Sequence, residues 1–177
     1  MQWLNEPQQW QQQGTHLTVV TQSKTDFWRV THYGFIRDNG HFYFDTLRGD
    51  FLIEVEVSGH YRDLYDQAGI MLRVDEKHWI KAGIEYVNGI QNLSAVVTHG
   101  HSDWSLTPFL QAPSALKLRV ERRGNAVHLA YMCAENTYTP FRMAYLLGEN
   151  LHVGLMCASP KGEGFAATFE GYRIQRH

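Results

Sequence analysis

The sequence predicts an all-β protein folded as a sandwich of antiparallel sheets. Several runs alternate apolar and polar residues with a period of two, which is typical of strands that are buried on one face. Turn signals rich in Gly, Asn, Asp and Pro separate these runs at intervals of about 8–12 residues, and no window combines helical periodicity with helix caps. With 177 residues, 44% of them hydrophobic, the chain is long enough for a two-layer core, and we expect a single domain over residues 1–177.

The N-terminal region is rich in glutamine, and Trp3 and Trp10 stand within it. Two tryptophans in a polar segment indicate that residues 1–16 are held against the body of the protein. The β-branched and aromatic runs that follow predict strands at 17–21 and 26–31. The turn residues at 32–34 and 38–40 then reverse the chain.

Residues 41–46 and 49–59 predict the next two strands. The second has the clearest pattern, because its aliphatic and aromatic side chains occupy alternate positions. Glu54 and Glu56 share the opposite side of this strand, which predicts an exposed polar face. A polar loop at 60–66 leads into the centre of the chain.

Residues 66–104 predict three consecutive antiparallel strands, at about 68–75, 79–85 and 93–98. Aliphatic side chains occupy one face of all three. The other face carries charged and hydroxyl side chains: Arg73, Lys81, Glu85, Ser94 and Thr98. Because a shift of one residue in register would reverse every assignment, the prediction depends on strand parity. We expect the polar face to form the floor of a shallow groove, followed by a loop at 99–105.

The C-terminal part predicts strands at 116–121, 127–133, 143–147, 153–158 and 165–174. A turn at 160–164 precedes the last of them. About twelve strands with frequent turns favour a β-sandwich or jelly roll.

Composition excludes several classes of function. The net charge of -2 and the pI of about 6.5 give no electrostatic reason to expect nucleic acid as a partner. No run approaches the roughly 20 apolar residues of a membrane span, and the N-terminus lacks the features of a signal peptide. We therefore expect a cytoplasmic protein that does not interact with membranes.

The two cysteines, Cys133 and Cys157, lie in apolar runs at 130–134 and 154–158. This context favours buried free thiols, and a disulfide between neighbouring strands is the alternative. His32, His99 and His101 lie near Asp66 and Asp103 in the predicted strand order, but their spacing matches no metal-ligand pattern. We assign no metal, no cofactor and no catalytic residue.

The central string DQAGIMLRVDEKHWIKAGIEY (66–86) resembles the concanavalin A-like lectin/glucanase β-sandwiches. With TDFWRVTHYGFIRDNGHF (25–42), SDWS (102–105) and GLMCASPKGEGF (154–165) it resembles, more narrowly, the regulation-of-enolase-like family, which has no established reaction. A shorter part of the central string is also similar to sandwich modules appended to some glycoside hydrolases. The resemblance implies a concanavalin A-like jelly roll of two curved antiparallel sheets, with ligands usually bound on the concave one. It implies little about activity.

Our preferred hypothesis is a non-catalytic domain that binds a carbohydrate or another small polar ligand on the concave sheet. Charged side chains that lie on adjacent strands can bind hydroxyl groups, and exposed aromatic rings can stack on the apolar face of a sugar. The candidate ligand-binding residues are Arg73, Lys81, Glu85, Thr98, Trp28, Trp104 and His32. Arg73 and Glu85 could also pair with each other across the sheet, in which case these charges would neutralise one another.

Two alternatives belong to other classes. One is a regulatory domain with a protein partner, acting on a metabolic enzyme, as the name of the resembled family suggests. The weaker one is a glycoside-active enzyme, which requires two carboxyl groups on either side of an open cleft. Glu54, Glu56, Glu85 and Asp103 are the carboxyl groups available for it.

Overall fold

The structure is a computed structural model and describes residues 1–133 and 136–177. Within these ranges it contains sixteen strands and no helix, so the predicted all-β class is confirmed. In chain order the strands are β1 (Gln2–Leu4), β2 (Gln9–Gln13), β3 (His16–Val20), β4 (Phe27–Arg29), β5 (Ile36–Asp38), β6 (His41–Arg48), β7 (Phe51–Gly59), β8 (Gln67–Asp75), β9 (His78–Val87), β10 (Ile90–His99), β11 (His101–Pro108), β12 (Leu116–Arg123), β13 (Ala126–Met132), β14 (Thr139–Tyr145), β15 (Asn150–Ala158) and β16 (Ala166–Arg176).

Two seven-stranded sheets form the sandwich, and every pair of neighbouring strands is antiparallel. Sheet A has the order β1-β6-β15-β8-β9-β10-β11, and sheet B has the order β14-β13-β12-β7-β16-β3-β2. Strands β4 and β5 form a separate two-stranded hairpin. The predicted jelly-roll sandwich of two antiparallel sheets is therefore confirmed.

The main core lies between the two sheets. Alternate residues of the central strands enter it, including Ile70 and Leu72 from β8 and Ile80 and Ile84 from β9. Burial of one such side chain contributes about 1.5–3 kcal/mol to folding, so this alternation fixes the register of the sheet. The parity predicted for residues 68–98 is the observed one.

A second apolar cluster covers part of the outer face of sheet A. Met71, Trp79 and Val96 point away from the main core and pack against Phe27 and Trp28 of the hairpin. The ring centroids of Phe27 and Trp79 lie 6.3 Å apart in an edge-on arrangement. The hairpin is therefore a third layer on sheet A, and it forms one wall of the site described below.

Several sequence predictions are corrected by the structure. Residues 101–105, predicted as part of a loop, begin the edge strand β11, because Gly100 adopts a φ of 75° and makes a tight hairpin turn. Glu54, predicted on an exposed face, is buried by Arg119 and Arg173 of the neighbouring strands. The segment 1–16 is held against the body, as expected, through β1 and β2.

The cysteine prediction is correct in part. Both thiols are free, but only Cys157 is buried, whereas Cys133 is exposed. Ala134, the last residue of the apolar run at 130–134, lies outside the described residues. Among the described residues no helix is long and apolar enough to cross a membrane.

Candidate functional site

A cavity of about 270 Å³ opens on the outer face of sheet A, beside the β4–β5 hairpin. Its floor is made by strands β8 and β9, and its walls by the hairpin, by β11 and by three loops, those before β4, before β8 and after β15. The residues that line it are Lys24, Asp26, Trp28, Tyr33, Phe35, Arg37, Tyr65, Gln67, Lys81, Glu85, Trp104, Pro160 and Lys161. Small-molecule sites in proteins are typically concave, mostly apolar and furnished with a few convergent polar groups, as this cavity is.

Lys81 is the buried cation of the floor, with 4% of its surface exposed. Its ammonium group donates to Gln67 Oε1 at 2.6 Å, to the carbonyl oxygen of Phe27 at 2.8 Å and to Asp26 Oδ1 at 3.4 Å. These acceptors account for the three donors of the ammonium group. Lys81 therefore fixes the orientation of Asp26 and Gln67 and neutralises the Asp26 carboxylate.

Glu85 lies on the same face of β9, four residues further on, and 6% of its surface is exposed. Its Oε2 accepts hydrogen bonds from Ser94 Oγ at 2.6 Å and from Trp104 Nε1 at 3.0 Å. Its Oε1 has no hydrogen-bond donor among the described residues, and this oxygen is available to a ligand in the cavity. Burial raises the pKa of Glu85 above its usual range, against the lowering effects of Lys81 and Ser94.

Four aromatic rings surround the cavity, each in contact with the next, and we call them the aromatic quartet: Trp28, Tyr33, Tyr65 and Trp104. Neighbouring ring centroids lie 5.7 Å (Trp28–Tyr33), 6.4 Å (Tyr33–Tyr65), 6.1 Å (Tyr65–Trp104) and 6.2 Å (Trp104–Trp28) apart, all edge-on. The hydroxyl oxygens of Tyr33 and Tyr65 are hydrogen-bonded at 2.7 Å. Burial and this hydrogen bond raise the pKa of Tyr33 to about 12, so the Tyr33 hydroxyl is protonated at neutral pH and remains a hydrogen-bonding group.

The loops around the cavity contain unusual backbone conformations. Positive φ angles occur at Lys24 (59°), Val30 (62°), His32 (64°) and Tyr65 (71°). A positive φ is a genuine outlier for a β-branched residue such as Val30. Two backbone hydrogen bonds hold this turn, from Val30 N to the oxygen of Phe35 and from Gly34 N to the oxygen of Val30. Such conformations are costly, and in proteins they cluster at ligand sites and active sites.

An ion pair fastens the hairpin to sheet A. Arg73 donates to both carboxylate oxygens of Asp38, at 2.6 and 2.7 Å. A turn that joins Asp26 to Asn39 and Gly40 places Asp38 over β8, since both Asn39 N and Gly40 N donate to the oxygen of Asp26. The sequence encodes this turn as Asn-Gly at 39–40, and the cavity wall depends on it.

Four of the seven predicted ligand-binding residues line the cavity: Lys81, Glu85, Trp28 and Trp104. The other three do not. Arg73 is engaged by Asp38, Thr98 is buried against Ser102 at 2.9 Å, and His32 is exposed beside the ring of Tyr33.

The suggested pairing of Arg73 with Glu85 is wrong. In the observed register Arg73 lies opposite Trp79, and Glu85 lies opposite Gln67, so the two side chains are six residue pairs apart along the strands. The partner of Arg73 comes instead from the hairpin, which the strand pattern could not place over the sheet.

Sequence reasoning did not propose Asp26, Gln67, Lys24, Arg37 or Lys161 for the site. All but Gln67 lie in loops or in the hairpin, far from β9 in sequence. Arg37 and Lys161 have one sequence signal, their position at the turns predicted at 38–40 and 160–164, and Lys24, Asp26 and Gln67 have no such signal. Tyr33 and Tyr65 also line the cavity.

The other three carboxyl groups considered for a glycoside-active enzyme lie outside the cavity. Glu54 is held by arginines on sheet B, Glu56 is paired with Lys117, and Asp103 is exposed and paired with Arg142. The cavity instead combines Glu85 with Asp26. Among the described residues no group of three or more His, Cys, Asp and Glu side chains could hold a metal ion.

Comparison with known proteins places the chain in a family. Residues 3–177 match the family described as "Protein of unknown function (DUF1349)". The chain belongs to this family. It is 39% identical over 173 residues to "Regulation of enolase protein 1" of Saccharomyces cerevisiae, an alignment that covers 97% of this chain and 87% of that protein. The predicted family resemblance is thus confirmed.

Solved structures agree with the fold. A crystal structure of a functionally unknown protein from Saccharomyces cerevisiae superposes with a TM-score of 0.95 at 38% identity, covering 99% of this chain and 96% of the other. A GH43 protein from Bacillus licheniformis superposes with a TM-score of 0.76 at 14% identity, covering 97% of this chain and 36% of the other. At that identity the second likeness shows the fold alone.

Proposed function

We propose that this family member is a non-catalytic binding domain whose ligand is a carbohydrate or a sugar-like small molecule. The observation that supports this best is the cavity itself, which combines the aromatic quartet with the buried carboxyl group of Glu85 and its unpartnered oxygen. Aromatic rings stack on the apolar face of a sugar ring, and a fixed carboxyl group gives directional hydrogen bonds to hydroxyls.

The polar groups of the cavity floor are held in place by hydrogen bonds within the protein. Lys81 has its three donors committed to Asp26, Gln67 and the oxygen of Phe27, so the floor is rigid before a ligand arrives. Preorganised polar groups cost little entropy when a ligand binds. The floor offers Glu85 Oε1 and the second oxygen of Asp26 as acceptors, and the Tyr33–Tyr65 pair adds hydroxyls at the rim.

Calorimetric titration with a panel of mono- and oligosaccharides and sugar phosphates tests this proposal. We expect saturable binding at one site per chain, weakened at least ten-fold by Tyr33→Ala, which removes an exposed rim ring. Tyr145→Ala is the matched control, because Tyr145 is an exposed tyrosine on β14 that does not line the cavity. Absence of heat across the whole panel would refute the proposal.

The second candidate is a regulatory domain that binds a protein. The name of the yeast relative supports it, and so does an apolar stripe at the edge of sheet B. Met143, Tyr145 and Leu147 are 68%, 52% and 63% exposed at and just beyond the end of β14, the edge strand. Large exposed apolar side chains in a row mark interaction surfaces.

Titration with purified enolase, followed by sedimentation velocity, tests this alternative. We expect a complex that is weakened by Met143→Ser/Leu147→Ser and unaffected by Ile90→Ser, which alters an exposed apolar residue outside the stripe. Two separate species at all concentrations would exclude enolase as the partner. We place the protein in the cytoplasm under both candidates, where the reducing environment keeps its free thiols reduced.

A further inference from the structure

The positive charges of this protein are distributed unevenly. Of its sixteen Lys and Arg side chains, nine form ion pairs with carboxylates. Arg29 and Arg122 instead donate to backbone oxygens. Five remain without a hydrogen-bond or ion-pair acceptor in residues 1–133 and 136–177: Lys24, Arg37, Lys77, Lys161 and Arg176. Three of these five line the same cavity: Lys24, Arg37 and Lys161.

These three cations converge from different parts of the chain. Arg37 lies on β5, opposite Trp28 in the hairpin register, and its guanidinium carbon is 5.5 Å from the centroid of the Phe35 ring. Lys24 and Lys161 lie on two loops that are joined by a bridge between Ser23 and Ser159. All three are exposed, so they form a cationic rim above a floor that is largely buried.

The floor does not neutralise this rim. The Asp26 carboxylate is already paired with Lys81, and burial raises the pKa of Glu85, which favours its uncharged form. The chain as a whole carries a net charge of -2, so the cationic rim is opposite in sign to the molecule. A cleft lined by unpaired charge of one sign concentrates ligands of the other sign.

We infer that the ligand is an anionic sugar, meaning a polyhydroxylated ring that carries one phosphate or carboxylate group; this rests on the function proposed above. The ring lies within the aromatic quartet and donates hydroxyl protons to Glu85 and Asp26. The anion faces Lys24, Arg37 and Lys161, where the planar fork of the arginine suits either oxyanion and the lysines add point charges.

The experiment compares matched ligands on the native 177-residue chain. Calorimetric titrations use glucose and galactose, the 6-phosphate and the uronate of each, and inorganic phosphate alone. We expect at least one phosphate or uronate to bind ten-fold or more tightly than its neutral parent and than inorganic phosphate. We also expect this advantage to decrease as ionic strength rises to 1 M, where the Debye length falls to about 3 Å.

A pair of double variants assigns the effect to the rim. Arg37→Gln/Lys161→Gln removes one arginine and one lysine from the cavity and should abolish most of the preference for the anionic sugar. Lys77→Gln/Arg176→Gln removes the same two residue types outside the cavity and should leave the preference within about two-fold. Circular dichroism before titration confirms that each variant is folded. If a variant does not fold, the salt series on the native chain still tests whether the preference for the anionic sugar is electrostatic.

The outcomes separate this inference from the function on which it rests. Neutral and anionic sugars binding equally would overturn the anionic class while leaving the binding domain intact. Inorganic phosphate binding as tightly as a sugar phosphate would overturn the sugar part of the ligand. No measurable binding of any sugar would overturn both the anionic-sugar inference and the proposed binding function. An anion preference that is lost equally in both double variants would mean that net charge, not the rim, produces it, and would overturn the assignment.

Discussion

Arg73 on β8 and Asp38 on the β4–β5 hairpin form a bidentate ion pair, and this pair links the hairpin to sheet A. The guanidinium is almost completely buried, whereas the aspartate side chain is 32% exposed. The Cζ atom of Arg73 also lies 6.0 Å from the centroid of the Phe27 ring. The pair therefore holds in place the element that carries Trp28, Tyr33, Phe35 and Arg37, which form one wall of the cavity.

Asp38→Ala should destabilise the protein and weaken ligand binding. The substitution leaves Arg73 buried without its carboxylate. Removing one partner of a fully buried pair costs about 3–5 kcal/mol, and the partial exposure of Asp38 reduces the expected loss to about 2 kcal/mol. Urea unfolding measures the loss. Glu149→Ala is the matched control, because it removes an ion pair with Arg48 in which both side chains are exposed, and it should cost less than about 1 kcal/mol. Equal effects of the two substitutions would contradict the anchoring role.

The unfolding free energy of Glu85→Gln, compared with that of the native chain, should increase as the pH rises. Burial raises the pKa of Glu85 in the folded state, whereas in the unfolded chain it has the ordinary value of about 4.3. A raised folded pKa means that the contribution of Glu85 to stability is complete below pH 4.3. It is lost as the pH rises through the folded value. A glutamine keeps an acceptor for Ser94 and Trp104 and does not ionise.

The measurement is urea unfolding of the native chain and of Glu85→Gln between pH 4 and pH 8. The difference in unfolding free energy should shift in favour of the variant across this range. Glu76→Gln, which changes an exposed glutamate, should give curves that run parallel to the native chain. Parallel curves for Glu85→Gln as well would show that Glu85 has no raised pKa.

Strand parity is what the sequence could predict about the site. The alternation of Ile80, Ala82 and Ile84 with Lys81 and Glu85 required these two charges to lie on the outer face of sheet A, because a slip of one residue would have buried them in the main core. That constraint is local and strong, so it was readable without coordinates. It located the floor of the cavity and two of its polar groups.

The walls could not be predicted by the same reasoning. Asp26, Lys24 and Lys161 lie in loops with no period, and their positions depend on backbone hydrogen bonds such as that from Thr25 N to Ser159 O. Asp38 reaches Arg73 across 35 positions in the sequence. Contacts between an irregular loop and a distant strand leave no pattern in a single sequence, which is why a cross-strand partner was wrongly suggested for Arg73.

The two thiols should differ in reactivity. Cys157 is buried, and burial raises the pKa of its thiol far above the usual range, whereas Cys133 is exposed. Because the thiolate is the reactive form and must be reached by the reagent, a colorimetric disulfide reagent should modify one thiol per native chain and two per chain in denaturant. Cys133→Ser should abolish the native reaction and retain one thiol in denaturant. Two reactive thiols in the native chain would contradict the burial of Cys157.

Glu54→Gln should reduce stability without affecting ligand binding. Burial raises the pKa of Glu54, but hydrogen bonds from Arg119, Arg173 and Tyr138 outweigh that effect and leave the pKa below its usual value. A lowered folded pKa means that stability from Glu54 is present above the unfolded pKa and is lost as the pH falls through the folded one. At pH 7 the substitution should therefore cost about 2 kcal/mol, less than the 3–5 kcal/mol of a fully buried pair, because the side chains of Arg119 and Arg173 are 38% and 72% exposed.

Urea unfolding at pH 7 and at pH 3 measures this cost, which should shrink at the lower pH. Glu56→Gln is the control on the same strand, since Glu56 forms an ion pair with Lys117 in which the two side chains are 40% and 48% exposed. Titration with the tightest ligand of the sugar panel should give the same affinity for Glu54→Gln as for the native chain, because Glu54 lies on sheet B and does not line the cavity. A loss of affinity without a loss of stability would instead return Glu54 to the list of candidate ligand-binding or catalytic groups.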